Sequence, residues 1–107
     1  GEEEAVQKLL TELFHPGSHF FESFCALTGV ICNANGFHTS LHHCDWRVSG
    51  RRGGYHGFFC YDGFVAFIHL GEEGLRGSIP TEVGMLSQLQ VLGLNSNDIS
   101  GSIPTEV

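Results

Sequence analysis

Seven histidines and four cysteines carry most of the chemical capacity of this chain. The densest grouping is His42-His43-Cys44, with His38 close before it. A metal ion needs donors that converge, and adjacent side chains on an extended segment point to opposite faces, so His42 and His43 are not expected to share an ion. No two cysteines stand at the C-x2-C spacing of a zinc site, and Asp45 is the only carboxylate in the group. Solvated loop histidines are the expectation, with no metal or other cofactor assigned. Nucleophilic catalysis needs a serine or cysteine held by a base, and no G-x-S-x-G elbow is present. Nor is there a phosphate loop of the G-x-x-x-x-G-K-[ST] kind, Lys8 being the single lysine. The chain is read as non-catalytic.

Cys25, Cys32, Cys44 and Cys60 all fall in the first two thirds of the sequence, among many glycines and few long periodic segments. An even count in a small, loop-rich stretch favours disulfides and an oxidising compartment. Three pairings are open, of which the two sequential ones, Cys25 with Cys32 and Cys44 with Cys60, are preferred. At 107 residues, 41% hydrophobic and 16% charged, the chain suits one globular unit and not a disordered polymer. A net charge of −7, with Arg51-Arg52 as its only basic cluster, makes nucleic acid an unsuitable partner. The longest apolar run, 63–70, falls far short of the ~18 residues a bilayer requires and contains His69, so no membrane span is expected. The opening Gly-Glu-Glu-Glu has no leader pattern, so any signal peptide is expected to be removed or to lie outside the sequence.

Several elements must position these groups. Glu2, Glu3 and Glu4 precede Val6, Leu9, Leu10 and Leu13, which places acid at the positive end of a helix dipole and apolar residues on one stripe. A short amphipathic helix is expected at about 3–14, ended by His15-Pro16-Gly17-Ser18. Phe20, Phe21 and Phe24 then supply core-filling bulk. Between Cys25 and Gly54 the periodicity is poor, and Ser49-Gly50-Arg51-Arg52-Gly53-Gly54 reads as an exposed loop.

From Val65 the pattern changes. Val65, Ile68 and Leu70 recur as Leu89, Leu92 and Leu94, and Ser-Ile-Pro-Thr-Glu-Val at 78–83 returns at 102–107, both with a shift of 24 residues. A fixed period of this length with L-x-x-L-x-L-x-x-N is the pattern of leucine-rich repeats, in which each unit adds a short strand and a return segment. Leu89, Leu92, Leu94, Ile99 and Ile103 should point inward. Asn97 stands where the chain leaves the strand, and an amide there can satisfy backbone groups of adjacent turns. Its counterpart one repeat earlier is Glu73. Gly77 and Gly101 permit a tight return, and Pro80 and Pro104 fix φ where the chain bends back.

Residues 65–86 and 89–107 resemble the plant-type leucine-rich-repeat family, whose units read L-x-x-L-x-L-x-x-N-x-L-x-G-x-I-P-x-x-[LV]-G-x-L; Val65, Ile68 and Glu73 depart from it. The resemblance implies an α/β fold: the start of a leucine-rich-repeat solenoid, with parallel short strands, an irregular convex side, and an N-terminal helical, disulfide-stapled cap. It also implies a second short strand from the Gly-x-Ile-Pro segment. Family caps carry C-x-W-x-G-V-x-C, and Cys25-Ala-Leu-Thr-Gly-Val-Ile-Cys32 matches with Leu27 in place of tryptophan. A second partial copy runs from Cys44-Asp-Trp46 to Gly57-Phe-Phe-Cys60, which fits the motif once 47–55 is removed. The expected organisation is a cap region at 1–62 with an inserted loop at 47–56, and repeats at 63–107, one full and one truncated.

Such caps stand at the outer end of receptor-like kinases, receptor-like proteins and secreted inhibitors. The resemblance therefore implies a secreted or extracellular recognition module for a protein or peptide, with a glycan as a further option. Side chains between the buried leucines, Ala66, Phe67, His69, Gly71 and Glu72, then Gln90, Val91, Gly93, Asn95 and Ser96, should face the concave side. Phe67 and His69 are the leading pair, an exposed aromatic beside a titratable ring. Two other readings stand beside this one. The chain is the ectodomain fragment of a receptor-like kinase whose kinase lies beyond it, or a structural wall- or ice-associated protein built on repeated Ser78/Ser102 and Thr81/Thr105. Leu92, Leu94 and Ile103 lack a next layer, from which self-association through the open C-terminal repeat is expected.

Overall fold

A computed structural model describes residues 1–13, 17–50, 53–95 and 97–99. Helix α1 spans Glu2–Leu13 and buries Ala5, Val6, Leu9, Leu10 and Leu13, one stripe of a helix whose first turn is acidic. A second helix, α2, runs from His19 to Cys25. The Ser18 hydroxyl accepts the Phe21 N–H at 3.0 Å and caps it, while Phe20 and Phe24 turn into the core. So the three phenylalanines belong to a helix that the sequence pattern, with only seven residues to show it, does not reveal.

The poorly periodic stretch after Cys25 is ordered by pairing. Strands β1 (Val30–Asn33) and β2 (Gly36–Thr39) form an antiparallel hairpin. β3 (Arg47–Ser49) and β4 (Tyr55–Tyr61) form a second hairpin, so the 47–56 segment is built into a sheet at both ends. β4 then turns directly into β5 (Phe64–His69). The link is Asp62-Gly63, with φ of 56° and 85°. Two left-handed residues in a two-residue loop match the twist of the strands they join.

β5 pairs in parallel with β7 (Val91–Gly93), exactly one repeat on: Phe67 faces Val91, Ile68 faces Leu92 and His69 faces Gly93. The four-stranded sheet therefore has the order β3-β4-β5-β7. The sheet is mixed: β5 and β7 pair in parallel, as expected of repeat strands, while β3 and β4 add antiparallel pairings that the expected fold class did not include. Two antiparallel cap strands lie on the outer side of the first repeat strand, which gives its backbone groups partners that a preceding repeat would otherwise supply. On the opposite side, β6 (Arg76–Gly77) pairs in parallel with β8 (Asp98–Ile99), a second, shorter ladder.

The core is continuous from cap to repeats. Phe20, Phe24, Phe37, Trp46 and Phe58 meet ring to ring at 5.3–5.8 Å, and Val65, Ile68, Leu70 and Leu75 extend the buried layer. Leu89, Leu92, Leu94 and Ile99 are half-buried against it; Ile103 lies outside the described residues. Glu2 ties three elements together, its carboxylate accepting the Val65 N–H at 3.1 Å and contacting His43 Nε2 at 2.9 Å. Gly77, at φ 112°, lies so close to α1 that an added Cβ would sit 2.5 Å from the Glu12 carbonyl oxygen. Among the described residues, no helix is long and apolar enough to cross a membrane.

Candidate functional site

The disulfides join Cys25 to Cys32 and Cys44 to Cys60, with Cα separations of 5.7 and 5.5 Å. The first ties the end of α2 to β1; the second ties the segment before Trp46 to β4. Because Cys44 is bonded to Cys60, its sulfur is not a thiolate donor for a metal. His42 and His43 differ from expectation. Their rings stack on one side at 4.2 Å, because residues 43–45 form a 3₁₀ turn and the alternation of an extended segment does not apply. His42 Nδ1 accepts the Cys44 N–H, and His43 is buried against Glu2, so both rings are engaged in holding the cap. His38 lies exposed on β2.

The Asn97 side chain makes five hydrogen bonds to described residues. Its Oδ1 accepts the N–H groups of Glu73 and Leu75 at 3.1 and 2.9 Å, and its Nδ2 donates to the carbonyls of Leu70, Leu94 and Asn95 at 2.6, 3.2 and 3.3 Å. One amide thus satisfies backbone from two successive units. Glu73, where the repeat pattern would have its own asparagine, is fully buried. Its Oε2 lies 3.0 Å from His56 Nδ1 at an angle outside hydrogen-bond geometry, and neither carboxylate oxygen has another partner among the described residues. The Glu73 carbonyl accepts the His19 N–H at 3.0 Å, so this residue links α2 of the cap to the repeat ladder through its backbone. Pro80 leads into a 3₁₀ turn at Thr81–Met85 that packs on α1. Gly101 and Pro104 lie outside the described residues.

Strand alternation sorts the sheet into two faces. Phe58, Ile68 and Leu92 occupy paired positions on the core side, and Val48, paired with His56, is buried there too. On the other side, Phe59 stands opposite Phe67 and Phe67 opposite Val91, while Arg47 and His69 both flank Gly57. His69 is exposed, Phe67 half-buried and Val91 42% exposed. Gln90 and Asn95 are exposed at the two ends of β7, with the Gln90 N–H donating to the Ala66 carbonyl and the Asn95 side chain lying across Gly71. Glu72 is half-buried in a left-handed conformation, φ 58°. Ser96 lies outside the described residues. Ala66 departs from its expected concave exposure: at 2% it is buried, at the point where the β4–β5 register shifts from Phe59 opposite Phe67 to Cys60 opposite Val65 and strict alternation breaks.

The face extends well past the repeats. Arg47 lies 5.6 Å from the Phe59 ring centroid, Phe59 meets His69 edge-on at 5.4 Å, and His69 stacks with Phe67 at 6.1 Å. Beside these rings an open cleft of about 630 Å³ is walled by Tyr55, Phe59, Tyr61, Phe67 and His69, with the Gly53-Gly54 backbone at one end. Tyr55 and Tyr61 are 68% and 76% exposed. Arg47, Tyr55, Phe59 and Tyr61 escape sequence reasoning, which places them in an inserted loop and a cap. The signal that finds them is Asp62-Gly63 between two apolar runs, a hairpin marker that puts β4 beside β5.

No protein-family model matches the sequence. Curated relatives do match it, two of them as follows. Phytosulfokine receptor 1 of Arabidopsis thaliana is 33% identical over 85 residues, covering 78% of this chain and 8% of the receptor. The leucine-rich repeat receptor-like serine/threonine-protein kinase RGI4 of the same plant is 44% identical over 43 residues, 40% of this chain and 4% of the kinase. The chain thus spans less than a tenth of the length of either. Among solved structures, the crystal structure of PEPR1-AtPEP1 aligns over 98% of this chain and 12% of its own, with a TM-score of 0.64 and 25% identity. With a one-repeat register between β5 and β7 and one asparagine bridging both units, these likenesses make the chain a segment of a plant-type leucine-rich-repeat protein.

Proposed function

We propose that this chain is a non-catalytic recognition module on the extracellular side of a leucine-rich-repeat protein, the start of a right-handed solenoid that binds protein or peptide on its concave face. The observation that carries this reading is the outward face of the four-stranded sheet. Phe59, Phe67, His69 and Val91 form a contiguous and partly exposed strip on a scaffold fixed by two disulfides. Exposed aromatics on rigid strands suit binding, since they offer large contact area with little side-chain entropy to lose. The disulfides favour an oxidising compartment.

Both curated relatives are named as receptors or receptor-like kinases, which favours placing this segment in the ectodomain of a receptor-like kinase over a wall- or ice-associated role. Selection of displayed random decapeptides on the immobilised chain tests the reading. We expect enriched sequences whose binding drops about tenfold or more in Phe67→Glu and His69→Glu, as for substitutions at the centre of an interface. Enrichment indifferent to both substitutions, or none at all, would count against a concave recognition face.

A further inference from the structure

We propose that the cleft walled by β4 and β5 takes an acidic, aromatic-bearing peptide segment, with Arg47 holding its carboxylates and the rings of Phe59 and Tyr61 packing its aromatic side chain. This rests on the recognition reading above and names the partner chemistry of one part of that face.

Shape comes first. At about 630 Å³ the cleft is large enough for a short extended peptide and too open to be a packing void. Its walls are mostly rings, and two exposed ones, Tyr55 and Tyr61, present a hydroxyl as well as an apolar face. Cys60 also lines it and is bonded to Cys44, so the wall is held before any ligand arrives and the ordering cost of binding is small.

Charge selects among peptides. The protein carries −7 overall with only five basic residues, and three of those, Arg47, Arg51 and Arg52, fall within six positions of the hairpin whose glycines end the cleft. Arg51 and Arg52 lie outside the described residues, and the geometry rests on Arg47. Arg47 is 42% exposed and lies over Phe59, with its guanidinium 3.6 Å from an Asp45 that is itself 63% exposed. A pair so open to water contributes little, so an incoming carboxylate replaces Asp45 at small cost and gains a planar donor already seated on a ring.

Fluorescence polarisation on the whole chain, with labelled pentapeptides of defined composition, tests the assignment. One alternates aspartate and tryptophan, one lysine and tryptophan, and one aspartate and alanine. The aspartate-tryptophan peptide should bind at least tenfold more tightly than either of the others and weaken on going from 50 to 500 mM salt, as attraction between exposed charges does. Arg47→Gln should cost it about three- to fivefold, and Tyr61→Ser a comparable factor; both sites are exposed, so folding is spared. Equal affinity for acidic and basic peptides, or indifference to both variants, overturns the assignment. Decapeptides that bind through Phe67 and Val91 but ignore Arg47 and Tyr61 would overturn it while leaving the recognition module standing. Binding of cellohexaose lost in Tyr61→Ser, with no peptide bound, would give the rings to a glycan and overturn both.

Discussion

At the scale of single residues, Asn97 and Glu73 show how one position can stabilise a repeat or burden it. Removing the Asn97 amide leaves the N–H groups of Glu73 and Leu75 and the Leu70 carbonyl without their partner, and buried backbone groups lose more than the bond itself when orphaned. Asn97→Ala is expected to cost roughly 3 kcal/mol in urea melts, against roughly 0.5 for the exposed Asn95→Ala. Glu73 is the opposite case: a side chain with no exposure that faces His56 and has no hydrogen-bond partner among the described residues. Losing one partner of a buried pair costs ~3–5 kcal/mol, and the quarter exposure of His56 reduces this to about 2 for His56→Ala. Replacing both, as His56→Leu with Glu73→Met, should restore or exceed the parent stability. A double variant less stable than His56→Ala would show that the pair is net stabilising. The repeat pattern makes Asn97 legible from sequence. It does not show that Glu73 would find a histidine from 17 positions away, because that meeting depends on the cap folding beside the repeat.

At the scale of elements, the repeat strands are legible and the cap strands are not. Val65, Ile68 and Leu70 announce β5 because a period of 24 repeats their spacing, whereas β3 and β4 occur once and owe their form to pairing. Helix α2 is hidden for a similar reason: seven residues give too short a stripe to read, although Ser18 marks its start. Gly57 fixes the cap hairpin. At φ 132°, its Cα hydrogen faces the Trp46 carbonyl, and a Cβ there would collide with that oxygen. Gly57→Ala should therefore lose at least about 2 kcal/mol and open the pairing of Arg47 with position 57, read as faster amide exchange in β3. The Cys44 to Cys60 bond closes a loop of sequence separation 16, so the double serine variant should be about 3 kcal/mol less stable than the parent. The Cys25 to Cys32 bond spans only 7 residues and should contribute less.

At the scale of the molecule, cap and repeats form one sheet and one core, and the face they share is wider than the repeat pattern implies. Phe67, His69 and Val91 are found from sequence as positions between buried leucines. Arg47, Tyr55, Phe59 and Tyr61 join them only when the hairpins are folded. Hydrogen–deuterium exchange of the chain, free and bound to a selected decapeptide, tests the central claim most directly. Slower exchange confined to 55–61, 66–69 and 90–93, with α1 unchanged, is the result expected of a recognition face on the four-stranded sheet. Protection centred on Gln7, Lys8 and Thr11 of α1, with those three strand segments unaffected, would contradict it.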